Sequence, residues 1–406
     1  MRIAQRAQRV EPFYVMELAK AAATMASEAG TKGRPMIYLN IGEPDFTAPP
    51  LVTAAAERAI HAGRSQYTQA TGLPALREAI SGWYASRFSL DIDPARIVVT
   101  AGASAALQLA SLALIEAGDE VLMPDPSYPC NRQFVQAAEG RPVLIPSGPE
   151  QRFQLSAAQV EDAWGPATRG VLLASPSNPT GTSIARDELE RIARFVRSRG
   201  GITIVDEIYL GLSFEEAYGH SALGLPDGLG DEIISINSFS KYFNMTGWRL
   251  GWLVLPPELV PAVERLAQNL FICASTIAQH AALACFEPDS LAEYERRRTA
   301  FKERRDFFIP ELNRLGISVP VMPDGAFYAW ADVSALCERW HLAPPGGRAD
   351  EGGSWALAFE LMQRCQLAAT PGRDFGQAEP GRYLRFSTAN SMAQLKEAVS
   401  RLEQAL

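Results

Sequence analysis

The chain has 406 residues, 47% hydrophobic and 21% charged, with a net charge of −8. That is the composition of a globular protein long enough for two unequal domains. The acidic balance argues against a nucleic-acid binder, which needs a basic face, and no run approaches the ~18 apolar residues of a membrane span.

The N-terminus, Met1-Arg2-Ile3-Ala4-Gln5-Arg6, leads into an amphipathic stretch rather than a continuous apolar segment, so no signal peptide is expected and the cytoplasm is the expected location. From residue 97 the chain alternates short apolar runs with helical patterns. Strands are predicted at 97–100, 121–123, 142–145, 170–174, 201–205, 233–236 and 250–255. Helices are predicted at 104–115 and at 186–199, the second with Leu189, Ile192, Ala193 and Val196 on one face. Short apolar strands separated by helices imply an α/β fold whose largely parallel sheet is covered on both sides. From about residue 290 the texture becomes α+β, with helices near 293–308, 355–365 and 393–406 and strands near 326–330 and 383–386. The segment from Ala343 to Gly353 is a turn-rich loop. The expected division is a large domain over 51–289 and a smaller discontinuous one from 1–50 and 290–406.

Five cysteines (Cys130, Cys273, Cys285, Cys337, Cys365) and four histidines (His61, His220, His280, His341) lie far apart in sequence. No Cys-x-x-Cys pair or Cys/His cluster suggests a metal or redox site. Lysine usage is more informative. Of 38 basic residues only Lys20, Lys32, Lys241, Lys302 and Lys396 are lysines. Lys241 follows a predicted strand, in Ser238-Phe239-Ser240-Lys241. An amine can lose its proton and attack a carbonyl, whereas a guanidinium effectively cannot. An ordinary lysine at a strand end is the alternative when Lys241 is taken alone.

Other polar clusters also follow predicted strands, where ligands gather in parallel sheets. Gly102-Ala103-Ser104 opens a helix and suits a phosphate, or else Ser104 is a plain N-cap. Ser240 and Arg249 can add a hydroxyl and a guanidinium to the same phosphate. Asn178, in Ser175-Pro176-Ser177-Asn178-Pro179-Thr180-Gly181, points from a strand end. Asp206 closes an apolar strand, and a buried carboxylate there needs a cation or donors. A protonated pyridine nitrogen would be such a cation, and Tyr209 could donate to a phenolate oxygen.

Asn178-Pro179-Thr180-Gly181, Asp206-Glu207-Ile208-Tyr209, Ser238-Phe239-Ser240-Lys241 and Gly247-Trp248-Arg249-Leu250-Gly251 together resemble the class I/II aminotransferases of fold type I, which bind pyridoxal 5′-phosphate. Ile41-Gly42-Glu43-Pro44-Asp45-Phe46, Gln66-Tyr67-Thr68 and Tyr383-Leu384-Arg385-Phe386-Ser387 extend the resemblance over essentially the whole chain, closest in wording to the aspartate/alanine/aromatic subgroup. It implies a mostly parallel seven-stranded sheet between helices, with a smaller α+β domain built from both termini. It implies Lys241 as Schiff-base lysine and proton shuttle, Asp206 on the pyridine nitrogen, and Asn178 and Tyr209 on the ring oxygen. Tyr128 would stack on the ring. Ala103, Ser104, Ser238, Ser240 and Arg249 would hold the phosphate, and Arg385 and Gly42, with Asn178, the substrate carboxylate. Tyr67 would reach the phosphate of a neighbouring subunit, making the active unit a homodimer. Pro12-Phe13-Tyr14-Val15-Met16 resembles a mobile lid segment.

The implied reaction is a ping-pong transamination from an L-amino acid to a 2-oxo acid, with 2-oxoglutarate the expected acceptor. A C–S β-lyase or related synthase on the same scaffold is the alternative. No motif supplies a cation for a distal carboxylate. Phe13, Tyr14, Tyr128 and Phe271-Ile272-Cys273-Ala274 are candidates for an apolar side-chain pocket, or else for core or interface.

Overall fold

The computed structural model describes residues 2–11, 14–29, 34–342 and 353–406. Its strands in chain order are β1 (Ile37–Tyr38), β2 (Ile97–Thr100), β3 (Glu120–Asp125), β4 (Arg141–Pro146), β5 (Thr168–Ala174) and β6 (Ile202–Asp206), then β7 (Ile234–Ser238), β8 (Gly251–Val254), β9 (Tyr328–Asp332), β10 (Leu367–Ala368), β11 (Thr370–Pro371) and β12 (Tyr383–Ser387). Seven of them form one sheet in the order β2-β8-β7-β6-β5-β3-β4. Only β8 runs against its neighbours; the other pairings in this sheet are parallel.

The side-chain alternation of these strands explains why the sheet is buried on both faces. Val121, Met123, Leu172, Ile204 and Ile236 pack on one side with the helix Ala103–Leu114. Leu122, Val171, Leu173 and Val205 pack on the other with Leu189, Ile192, Ala193 and Val196 of the helix Arg186–Ser198, the face expected from the sequence. Fully burying each such aliphatic side chain stabilises by ~1.5–3 kcal/mol. The seven strands predicted between 97 and 255 are these seven. Helices at Pro50–His61, Pro74–Phe88 and Pro129–Ala137 were not foreseen, although each opens with a proline at its first position, where the missing N–H costs nothing.

A second core draws on both ends of the chain. Leu18, Ala22, Ile37 and Leu39 pack with Phe308, Leu312, Leu357, Leu361, Leu384 and Leu402. Over it lie the antiparallel sheet β11-β12-β9 and the parallel pair β1-β10. The helix expected at 293–308 runs longer, from Pro288 to Arg314. Tyr294 and Phe301 on it pack into a core of the large sheet, and Phe308 and Leu312 into the terminal core, so one helix spans both. Of the turn-rich segment at 343–353, residues 343–352 lie outside the described residues, as do Pro12 and Phe13. Among the described residues no helix is long and apolar enough to cross a membrane.

Candidate active site

The carboxyl ends of β5, β6 and β7 and the turn after β2 converge on a cavity of about 370 Å³. Gly42, Ala103, Ser104, Tyr128, Asn178, Asp206, Tyr209, Ser238, Ser240, Lys241, Arg249 and Arg385 all line it. Of the residues expected to hold the cofactor or the substrate carboxylate, only Tyr67 does not. It is 79% exposed and lies on a separate groove with Arg64, Gln66 and His280.

Lys241 sits just beyond β7, and its Nζ donates to the Gly42 carbonyl at 2.5 Å. Burial lowers its pKa to about 8; Glu43 opposes that shift, and the charges of Arg385 and Arg249 add to it. Asp206 is the last residue of β6 and accepts from the Ile208 N–H at 3.1 Å. Burial raises its pKa to about 6, against that N–H and the Lys241 charge. The adjacent Glu207 is absent from the cavity lining. It accepts from the Ser221 and Ser235 hydroxyls and the Ala222 N–H. The Tyr209 hydroxyl meets that of Tyr328 at 2.7 Å. Burial drives the Tyr209 phenol far up, and its neighbour Tyr328 adds to the effect.

Gly102 lets the turn after β2 lie close against Arg249. Its φ is +82°, and a Cβ there would stand 2.6 Å from Arg249 Nη2. Gly102, not Ser104, is the N-cap of the helix Ala103–Leu114, and no side chain caps it. The reading of Ser104 as a plain N-cap is therefore corrected: it lies inside the first turn, exposed. Arg249 Nη1 donates to the Thr246 carbonyl at 2.9 Å and to Ser240 Oγ at 3.4 Å. Ser238 Oγ shapes this turn, accepting from the Ser240 N–H at 3.0 Å and donating to the Leu250 carbonyl at 3.2 Å. A helix N-terminus, a hydroxyl and a guanidinium thus share one wall, a combination suited to a phosphate.

Across the cavity Arg385 projects from β12. Nη1 donates to Asn178 Oδ1 at 2.7 Å and Nη2 to the Asn40 carbonyl at 2.8 Å. Its plane lies over the rings of Tyr328, at 4.4 Å, and Phe375, at 4.9 Å. Its Nε is buried without a protein partner. Tyr128 stands at the start of the helix Pro129–Ala137, and burial pushes its phenol up.

The pocket expectations need correction. Phe13 lies outside the described residues. Tyr14 packs edge-on against Trp355 and under Arg373 and is absent from the cavity lining, as is the 271–274 segment, where Ile272 is 50% exposed. Val15, Met16, Ala19, Asn40, Ile41 and Tyr328 line it instead. Tyr328 carried no local signal; the β9–β12 register, which sets it opposite Ser387, brings it to the site.

The sequence profile of the family "Aminotransferase class I and II" matches residues 34–402. The chain is 37% identical over 401 residues to a valine–pyruvate aminotransferase of Mycobacterium tuberculosis, covering 99% of this chain and 97% of that protein. It is 33% identical over 409 residues to an aspartate aminotransferase of Thermotoga maritima, covering 100% and 99%. The crystal structure of an aminotransferase from Mycobacterium tuberculosis superposes with a TM-score of 0.90 at 37% identity, covering 100% of this chain and 99% of that one. A mutant aspartate aminotransferase of Thermus thermophilus superposes with a TM-score of 0.88 at 30% identity, covering 100% of both. With this architecture and these relatives, the chain belongs to the class I and II aminotransferases of fold type I and is an aminotransferase.

Proposed function

We propose that the chain is a pyridoxal 5′-phosphate-dependent aminotransferase that moves the amino group of an L-amino acid to a 2-oxo acid in two half-reactions at one site. The observation that carries this reading is the meeting, in one cavity, of a buried amine at Lys241, a buried carboxyl at Asp206 and the Arg385 guanidinium. The donor set fits the cofactor. Gly102 leaves room for a backbone cradle beside Arg249, and the Asp206 carboxyl lines the cavity, accepting from the Ile208 N–H and feeling the Lys241 charge. When bound, pyridoxal phosphate supplies the aldehyde that takes up the amino group and a ring that accepts the electron pair.

The chain's own residues do the rest. Ala103, Ser104, Ser240 and Arg249 hold the phosphate, with Ser238 fixing their turn. Asp206 keeps the ring nitrogen protonated, since an anion in that buried position favours a cation beside it. Tyr128 covers the ring face. Asn178 and Tyr209 donate to the ring oxygen, and Tyr328 holds the Tyr209 hydroxyl. Arg385 binds the substrate α-carboxylate, whose oxygens would also satisfy its unpartnered Nε. Gly42 lets Tyr328 approach, and its carbonyl orients Lys241. Lys241 Nζ would take the proton from the substrate Cα and deliver it to the cofactor's former aldehyde carbon; a pKa lowered to about 8 suits that task near neutral pH.

2-Oxoglutarate is the acceptor expected from the resemblance, and pyruvate is the one in the mycobacterial relative's name. The reading includes a homodimer in which Tyr67 reaches the phosphate of the other subunit. Its 79% exposure supports that role. It also includes the division into 51–289 and 1–50 with 290–406, supported by the terminal core, whose buried members fall between Leu18 and Leu39 and between Phe308 and Leu402.

The test is the absorbance of the purified protein with added pyridoxal phosphate, before and after a panel of amino acids. Conversion of the bound cofactor to its amine form, reversed by a 2-oxo acid and lost in Lys241→Ala, is expected. Release of pyruvate and ammonia without that conversion would identify a lyase.

A further inference from the structure

We propose that Arg297 and Asn244 are positioning residues for Lys241: one guanidinium on the helix Pro288–Arg314 fixes both the main chain of the lysine and the loop that receives its amine. The inference rests on the aminotransferase reading of the cavity and adds to it the device that places the amine.

Lys241 is held at both ends. Its carbonyl accepts the Asn244 side-chain amide at 2.9 Å and the Asn244 backbone N–H at 3.2 Å. Its Nζ donates to the Gly42 carbonyl at 2.5 Å. Arg297 reaches the supports of both ends. Its Nη1 donates to Asn244 Oδ1 at 2.8 Å and to the Thr47 carbonyl, in the loop that follows Gly42, at 2.6 Å. Its Nε donates to Glu293 at 2.6 Å, and its guanidinium lies 5.0 Å from the centre of the Phe46 ring. Two turns further along the same helix, Arg304 grips Asp45 of that loop with two bonds of 2.7 and 3.0 Å.

The residue types suit these positions. Asn244 has a φ of +52°, in the left-handed region that asparagine tolerates. It is 3% exposed, and both ends of its carboxamide are bonded, to Lys241 and to Arg297. A buried amide kept in this way transmits the placement of one group to the next. Arg297 serves three acceptors from one rigid plane, which a lysine ammonium cannot reproduce. The helix that carries it is itself fixed, with Tyr294 and Phe301 in a core of the large sheet and Phe308 and Leu312 in the terminal core. Such an element can hold a reacting group closely, and a misplacement of ~1 Å costs up to ~100-fold in rate.

The experiment compares the parent with Arg297→Met, Asn244→Gly and the double variant. Arg297→Met removes the donors. Asn244→Gly keeps the left-handed backbone and every charge but breaks the link. In the holoenzyme, single-turnover rates and KM are measured with the amino acid that converts the cofactor fastest. In the apoprotein, the pH dependence of Lys241 acetylation by acetic anhydride is read by mass spectrometry, with the exposed Lys20 as reference. Both single variants are expected to lose ~10–100-fold in rate with KM within ~3-fold of the parent. The labelling midpoint of Lys241 should rise from about 8 towards the ~10.4 of a free lysine, as the amine gains water. The charges acting on that amine are Glu43, Arg385, Arg249 and Asp206, and Asn244→Gly alters none of them, so a shift in that variant reports placement. The double variant should lose no more than Arg297→Met alone. Parental rates and labelling in Asn244→Gly, a lowered thermal midpoint with Lys241 labelling unchanged, or rate losses that multiply in the double variant would each overturn the proposal. If no amino acid converts the cofactor in the parent, the aminotransferase reading fails, while the labelling still decides whether Arg297 and Asn244 place the amine.

Discussion

Replacing Gly42 by alanine tests how firmly the Tyr209–Tyr328 pair is built into the site. A Cβ at position 42 would stand 2.6 Å from Tyr328 Oη and 3.5 Å from its Cζ. The ring is 2% exposed, its hydroxyl is held by Tyr209 at 2.7 Å, and the Arg385 guanidinium lies over its face at 4.4 Å. An ordinary contact of ~3.5 Å therefore requires the ring or the chain to move by roughly 0.5–1 Å. Over-packing of this kind costs ~1–3 kcal/mol, and losing the Tyr209 bond removes a further ~0.5–1.5 kcal/mol. Displacing Tyr328 also shifts the two groups it touches, Tyr209 and Arg385. A sizeable share of the cost should then fall on catalysis, as a ~10–100-fold loss in kcat/KM. The assay is a four-protein cycle of parent, Gly42→Ala, Tyr328→Phe and the double variant, each measured for kcat/KM and thermal midpoint. Tyr328→Phe removes Oη and leaves Cζ at 3.5 Å, so the Gly42→Ala penalty should all but vanish in that background. An equal penalty in both backgrounds would refute the steric argument.

Four further outcomes are expected. Arg385→Lys keeps the charge but loses the planar fork, and KM for the amino acid should rise ~10–100-fold with thermal stability little changed; an unchanged KM would remove Arg385 from substrate binding. Lys241→Arg keeps a cation but no removable proton, so single-turnover rates should fall by at least ~10²–10⁴-fold, and parental rates would contradict the proton-transfer role. Burial raises Glu207 from an ordinary 4.5 to about 7. Between those values the folded chain holds a proton that the unfolded chain has lost. This group therefore makes the apoprotein less stable as pH rises from ~4.5 to ~7, by ~2–3 kcal/mol, with no further change above. Glu207→Gln should flatten urea-unfolding stability between pH 5 and pH 8 by that amount, and an unaltered slope would show that Glu207 titrates normally. Asp374→Ala removes the acceptor of the Tyr14 N–H and should cost ~0.5–2 kcal/mol, concentrated in faster hydrogen exchange at the start of the helix Tyr14–Ala29; uniform exchange there would count against a local cap.

The large sheet was legible because each strand is a short apolar run between turn residues, and burial on both faces demands such runs. Val171-Leu172-Leu173 shows the logic, with alternate residues serving cores on opposite sides. The helices at Pro50–His61 and Pro74–Phe88 went unread. Their opening prolines were visible, but their apolar residues acquire a face only through contact with the aromatic core around Trp83, Phe243 and Trp252. Ser104 was open to two readings because a serine at the start of a helix can be either cap or first turn. The φ of Gly102 chose between them.

The residues proposed to bear the chemistry were singled out without coordinates. A lysine just after a strand in an arginine-rich chain and a carboxylate closing an apolar strand are each costly to bury, and that cost needs a chemical reason; Arg385 came from the resemblance of its motif. Tertiary structure alone decided what surrounds them. Tyr328 reaches Tyr209 through strand register across more than a hundred residues, and Val15, Met16 and Ala19 reach the cavity because Leu18 and Ala22 anchor an adjacent face of their helix. Apolar and aromatic side chains look alike whether they fill a core or wall a pocket, and only packing between distant segments separates the two.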